Sequence, residues 1–173
     1  MNLSPVLFLD FDGCLHPDNV RRIDGKPVLL TEGGQLFEHA ALLADLLSPY
    51  PDLQLVLSTS WVRAFGFEES VRHLPADLQR RVVGNIQEFC TDIYEWAELS
   101  RFDQVMRYVT GKDVVHWLAL DDNNHAWPEF LEKRLICPNP RLGLGEPRVQ
   151  QELVDKLRRL HQDVEQQRQL NAA

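Results

Sequence analysis

The chain has 173 residues, 44% hydrophobic and 25% charged, which is the size and balance of one globular domain with a substantial core. A formal charge of −8 argues against a broad basic surface for nucleic acid, because neutralising phosphates needs clustered Lys and Arg. Cys14, Cys90 and Cys137 form neither a CxxC pair nor a disulfide framework, the opening MNLSPVLFLD lacks a signal peptide's basic start, and no apolar run reaches about 18 residues, so a cytoplasmic protein with reduced thiols and no membrane contact is expected.

In chain order, three short apolar runs end in polar residues: VLFL before Asp10, LQLVL before Ser58 and VVHWLAL before Asp121. Each is short and rich in Val and Leu, as buried parallel strands are. Weaker runs at Val82-Val83 and Leu135-Ile136-Cys137 add candidate strands. Between the first two motifs, residues 16–31 carry Asp24-Gly25, a hairpin turn, and predict a small flap over a crevice.

Helical spacing predicts a helix from Gln35 to Leu47, a second from an N-cap at Ser100 to Tyr108 with Gly111 as its stop, and a third from about Pro147 to Gln167. Residues 1–165 then form one domain, and 166–173 a frayed tail. Strands alternating with helices imply an α/β fold, a Rossmann-like three-layer sandwich with a mostly parallel sheet. In such sheets ligands sit beyond the carboxyl ends of the strands, so Asp10, Ser58 and Asp121 face one crevice.

The chemistry lies in the acids. Asp10 and Asp12 flank one phenylalanine at a strand end, and Gly13 permits a sharp turn there. Two anions this close must share a proton or hold a cation, unless they form an ordinary acidic loop. Asp121-Asp122, after a second buried run, favours the cation, and an all-oxygen set suits Mg²⁺. Asn123 and Asn124 either add oxygen contacts or cap a following helix, the cap being favoured.

Asp10-Phe11-Asp12-Gly13-Cys14-Leu15 resembles the DxDGxL first motif of the haloacid dehalogenase (HAD) superfamily of phosphotransferases. Leu55-Val56-Leu57-Ser58-Thr59 resembles the second motif, with either Ser58 or Thr59 as the phosphate-binding residue and Ser58 slightly favoured. Ser100-Arg101-Phe102 stands where the family places its third-motif cation, here Arg101, with Lys112 as a rival, and Leu118-Ala119-Leu120-Asp121-Asp122 resembles the fourth. The ordered set spans most of residues 5–137. LSTSW with Arg63, LDDNNHAW and NPRLGLG look most similar to a small capless branch that includes the HAD domain of Swiss Army knife RNA-repair proteins.

The resemblance implies a HAD-like core with a small flap and no large cap. It implies a Mg²⁺-dependent phosphatase acting on a phosphate monoester, with Asp10 as nucleophile, Asp12 as acid and base, and Ser58, Thr59 and Arg101 on phosphate. The metal would be held by Asp10, Asp12 through its backbone carbonyl, Asp121 and Asp122. A small metabolite, a protein or a nucleic-acid end would each fit an open crevice. The alternatives are a phospho-receiver-like domain, disfavoured because DxDG comes first in the chain, and a catalytically silent phosphate-binding module.

Other residues have quieter readings. His16 and His125 either contact substrate or are surface or hydrogen-bonding loop histidines, the latter being favoured, and Trp61 reads either as a stacking platform or as core. Arg63 either binds a second phosphate or pairs with Glu68 or Glu69, the pairing being favoured. Cys14 lacks an activating base and reads as a packing residue.

Overall fold

The computed structural model describes residues 4–172. The strands are β1 (Val6–Leu9), β2 (Val20–Ile23), β3 (Lys26–Leu29), β4 (Gln54–Leu57), β5 (Val82–Asn85), β6 (Trp117–Leu120) and β7 (Leu135–Ile136). The helices are α1 (Ala40–Leu47), α2 (Trp61–Phe65), α3 (Phe67–Arg72), α4 (Ala76–Gln79), α5 (Ile93–Glu98), α6 (Arg101–Gly111) and α7 (Pro147–Ala172).

Five parallel strands form one sheet in the order β5-β4-β1-β6-β7. The chain moves outward from β1 through β4 to β5, then crosses back to β6 and β7. Strand β1 therefore lies at the point where the winding reverses, the place where open α/β sheets leave a crevice. Leu9 pairs with both Leu57 and Leu120, so three strands end level. The ladder runs one residue further, with Ser58 N–H donating to Leu9 C=O at 2.8 Å and Asp10 N–H to Leu120 C=O at 3.0 Å.

Alternation along the strands sorts the core into two layers. Leu7, Leu9, Leu55, Leu57, Leu118 and Leu120 face α1 and α7. Val6, Phe8, Val56, Trp117 and Ala119 face α5 and α6. Together with the sheet these make the three-layer Rossmann-like sandwich expected from the sequence.

Capping places α6 where the sequence puts it. Ser100 accepts from Asp103 N–H, and Asp103 returns a bond to Ser100 N–H, a reciprocal box that satisfies two helix-end donors. Helix α1 starts later than its periodicity predicts, at Ala40 rather than Gln35. Phe37 takes a left-handed backbone with φ of 59°, which an α-helix cannot include. At the other end, α7 continues to Ala172 where a frayed tail was expected, and Arg168 pairs with Asp52 at 3.1 Å.

The flap is an antiparallel β2–β3 hairpin that turns at Asp24 and Gly25, both at positive φ. Arg22 lies 5.6 Å over the Phe65 ring, which ties the hairpin to α2. Only this hairpin and α1 separate β1 from β4, and only short helices and the sheet strand β5 lie between β4 and α6, so no large cap is present among the described residues. No described helix is long and apolar enough to cross a membrane.

Candidate active site

Strand parity decides which acid meets which partner. Asp10 continues the register of Val6 and Phe8, and Asp121 that of Trp117 and Ala119, all on the α6 side of the sheet. Arg101, the first residue of α6, reaches both: its Nη2 is 3.6 Å from Asp10 Oδ2 and its Nε 3.3 Å from Asp121 Oδ2. Asp10 Oδ1 also accepts from Phe11 N–H at 2.7 Å, and Asp121 Oδ1 from Asn123 N–H at 3.0 Å.

Asp10, Asp121 and Asp122 bring one oxygen each within 4.8 Å of one another. Burial pushes the Asp10 carboxyl up against the pull of Arg101. Burial, then the charge of Asp10, pushes Asp121 well above the usual carboxylate range and Asp122 to about 7. Burial works against the charge of Arg101, but the three acids outweigh it and raise its pKa. Asp121 Oδ2 is buried, and the Arg101 guanidinium is its ion-pair partner, with no well-aligned hydrogen bond between them. A crowded, all-oxygen set of three acids facing a single Arg fits a hard divalent cation.

The first-motif turn is held by close approach. Gly13 has φ of +69°, and a Cβ there would lie 2.1 Å from Asp122 Oδ2, so glycine is needed for both conformation and space. Behind the turn, Leu144 N–H donates to Cys14 C=O at 2.8 Å, giving the NPRLGLG segment its place as a buttress. Cys14 is buried, and burial plus the neighbouring carboxylates push its thiol well above the ordinary value. This is the environment of a packing residue, not of a thiolate nucleophile.

Asp12 leaves this company. The turn after Phe11 carries its side chain to the α2 side, where Trp61 Nε1 donates at 3.0 Å to Oδ1 and 3.1 Å to Oδ2, and His16 Nε2 lies 3.0 Å from Oδ1. Its carboxylate is not part of the three-acid group.

Ser58 and Thr59 are both buried at the end of β4. Ser58 Oγ has no hydrogen-bond partner, whereas the Thr59 hydroxyl accepts from Trp61 N–H at 3.4 Å and lies close enough to Asp10 to favour its charged form. Lys112 is 3.1 Å from Glu88 at the far end of α6, so of the two rivals it is Arg101 that lies beside the acids.

The quieter readings divide. His16 is a hydrogen-bonding loop histidine, one of the two forms expected, but fully buried and not at the surface, while His125 is exposed. Trp61 is 2% exposed, which fits its reading as core and leaves no open face for stacking. Arg63 makes no ion pair among the described residues, because Arg72 takes both Glu68 and Glu69. Asn123 caps no helix; its Oδ1 accepts from His125 N–H at 2.8 Å in a turn. Sequence reasoning missed the His16 and Trp61 contacts, although the turn at Gly13 was a signal that His16, four residues after Asp12, could fold back onto it.

Residues 6–149 match the family model described as the HAD domain in Swiss Army Knife RNA repair proteins. No curated protein and no solved structure matches the chain. The match covers β1 through the start of α7, including every strand of the sheet and all the acids of the crevice. The chain therefore belongs to this HAD family, in a superfamily whose members are generally hydrolases of phosphate esters.

Proposed function

We propose that the protein is a Mg²⁺-dependent phosphatase that cleaves phosphate monoesters through an aspartyl-phosphate on Asp10. The observation that carries this reading is the meeting of Asp10, Asp121 and Arg101 at the level ends of β1, β6 and α6. The reading treats Asp10, Asp121 and Asp122, with the backbone carbonyl of Asp12, as the residues that would hold Mg²⁺. The bound cation would supply charge neutralisation that lets an anionic nucleophile meet an anionic phosphate.

The remaining steps belong to the chain. An Asp10 oxygen attacks phosphorus while the ester P–O bond breaks, and the bonding pair leaves with the ester oxygen. Asp12 delivers a proton to that oxygen, so the alcohol departs neutral. Asp12 then takes a proton from water as the water attacks the aspartyl-phosphate, the bond from phosphorus to the Asp10 oxygen breaks, and Asp10 returns as carboxylate. Arg101 and Ser58 stabilise phosphoryl oxygens as charge moves onto them, Ser58 through a hydroxyl with no other partner. Thr59 orients Asp10.

Replacing Asp10 with Asn tests the reading. Turnover of p-nitrophenyl phosphate with Mg²⁺ is expected to fall to background, with circular dichroism unchanged. Near-normal turnover in Asp10→Asn would rule the nucleophile out.

A further inference from the structure

The neighbourhood of Asp12 is built more firmly than packing requires. His16 Nδ1 accepts from Phe37 N–H at 3.2 Å, so Nδ1 is the lone-pair nitrogen and Nε2 carries the proton that faces Asp12. Phe37 makes this donation from a left-handed backbone, a conformation unfavourable for an L-residue. The Trp61 ring is fixed by Phe11, Phe37 and Phe65, with centroids 5.8, 5.1 and 5.0 Å away. Oδ1 of Asp12 receives both the imidazole and the indole, while Oδ2 shares only the indole.

We infer that Trp61 and His16 are positioning residues that clamp Oδ1 of Asp12 and thereby aim Oδ2 at the substrate's leaving oxygen. The inference rests on the acid and base role proposed for Asp12. A carboxyl group free to rotate would seldom present the correct oxygen, and proton transfer needs hydrogen-bond reach at the reacting atom. Neither residue touches substrate; both act through Asp12.

Leaving-group dependence separates this role from simple packing. p-Nitrophenolate leaves with little protonation, whereas the alkoxide of glycerol 2-phosphate needs its proton. In Trp61→Phe, kcat/KM for glycerol 2-phosphate is expected to fall ~10–100-fold, and that for p-nitrophenyl phosphate less than ~3-fold. His16→Leu should behave alike, and His16→Gln, which keeps an N–H donor, should recover most of the loss. Equal losses on both esters would overturn the inference, as would an intact Trp61→Phe enzyme.

A second readout needs neither turnover nor a foldable Trp61 variant. In the metal-free protein, one of the indole N–H resonances should move upfield on Asp12→Ala as its acceptor is removed. If no indole resonance responds, the clamp is absent and the inference fails. A wild-type protein inactive on both esters would instead overturn the phosphatase reading, and the positioning role with it.

Discussion

Asp10 and Asp12 are separated by one residue, yet they stand in opposite kinds of surroundings. On the α6 side, Asp10 shares its space with Asp121 and Asp122 and is balanced by Arg101. On the α2 side, among the described residues, Asp12 has no Lys or Arg within ion-pair distance and is held by the His16 and Trp61 ring N–H donors within an aromatic wall. The first arrangement concentrates charge and so suits binding a cation and an anionic phosphate. The second holds the carboxylate still, with two donors on Oδ1 and only the shared indole on Oδ2, which keeps further capacity for a proton. The difference teaches why a DxD pair can serve two roles: the strand's alternation delivers the first acid to one layer, and the turn at Gly13 delivers the second to the other.

Removing the cation should break the α6 half most severely. Arg101→Ala leaves Asp10 and Asp121 uncompensated and takes away a donor to developing charge, so kcat/KM for p-nitrophenyl phosphate should drop ~10²–10³-fold. Arg101→Lys restores charge without the fork that reaches two carboxylates, and should recover only part of it. If Lys restores full activity, simple charge balance is enough and the bidentate reach is irrelevant.

Joining the halves incorrectly should come next. Gly13→Ala forces both a positive φ and a Cβ into the place of Asp122 Oδ2. The expected loss is ~2–3 kcal/mol of stability from backbone strain and crowding, read by denaturant unfolding, together with weaker stabilisation by Mg²⁺. A variant with wild-type stability and unchanged Mg²⁺ response would show that the turn and Asp122 are not coupled.

Much of this was legible in the sequence because it depends on local pattern. Apolar runs ending in Asp10, Ser58 and Asp121 mark parallel strands with a shared end, and Ser100 announces α6 by a cap three residues before Asp103. What could not be read depends on contacts across long stretches of chain. The Trp61 indole meets Asp12 across 49 residues, and Phe37 N–H meets His16 across 21. Neither leaves a periodic trace, so the burial of the loop residue His16 was not legible and α1 seemed to begin at Gln35. The late start of α1 and the burial of His16 are one event, since the backbone that turns at Phe37 to serve the imidazole cannot also be helical. Arg63 failed for a similar reason: Arg72, three and four residues beyond Glu69 and Glu68, is better placed by helical spacing.

The smallest effect should be a pH-dependent one confined to the α6 half. Burial and Asp10 raise Asp122 to about 7 in the folded protein, whereas an unfolded Asp titrates near the ordinary value of 3.8. Between these values the folded state binds more protons than the unfolded state, so this group's contribution to stability falls as pH rises from about 4 to about 7. Asp122→Asn removes the ionisation, and in the metal-free protein it should be more stable than wild type at pH 8. The gain should be about 2 kcal/mol, reduced from the wholly buried value because Asp122 is only half-buried, and should vanish near pH 4. Thermal melts should show it as a rise of about 4–8 °C. Adding Mg²⁺ should raise the wild-type melting temperature more than that of the variant, because the cation offsets the repulsion that Asn has already removed. Equal Mg²⁺ responses would take Asp122 out of the charge-concentrating half and leave Asp10 and Asp121 to define it.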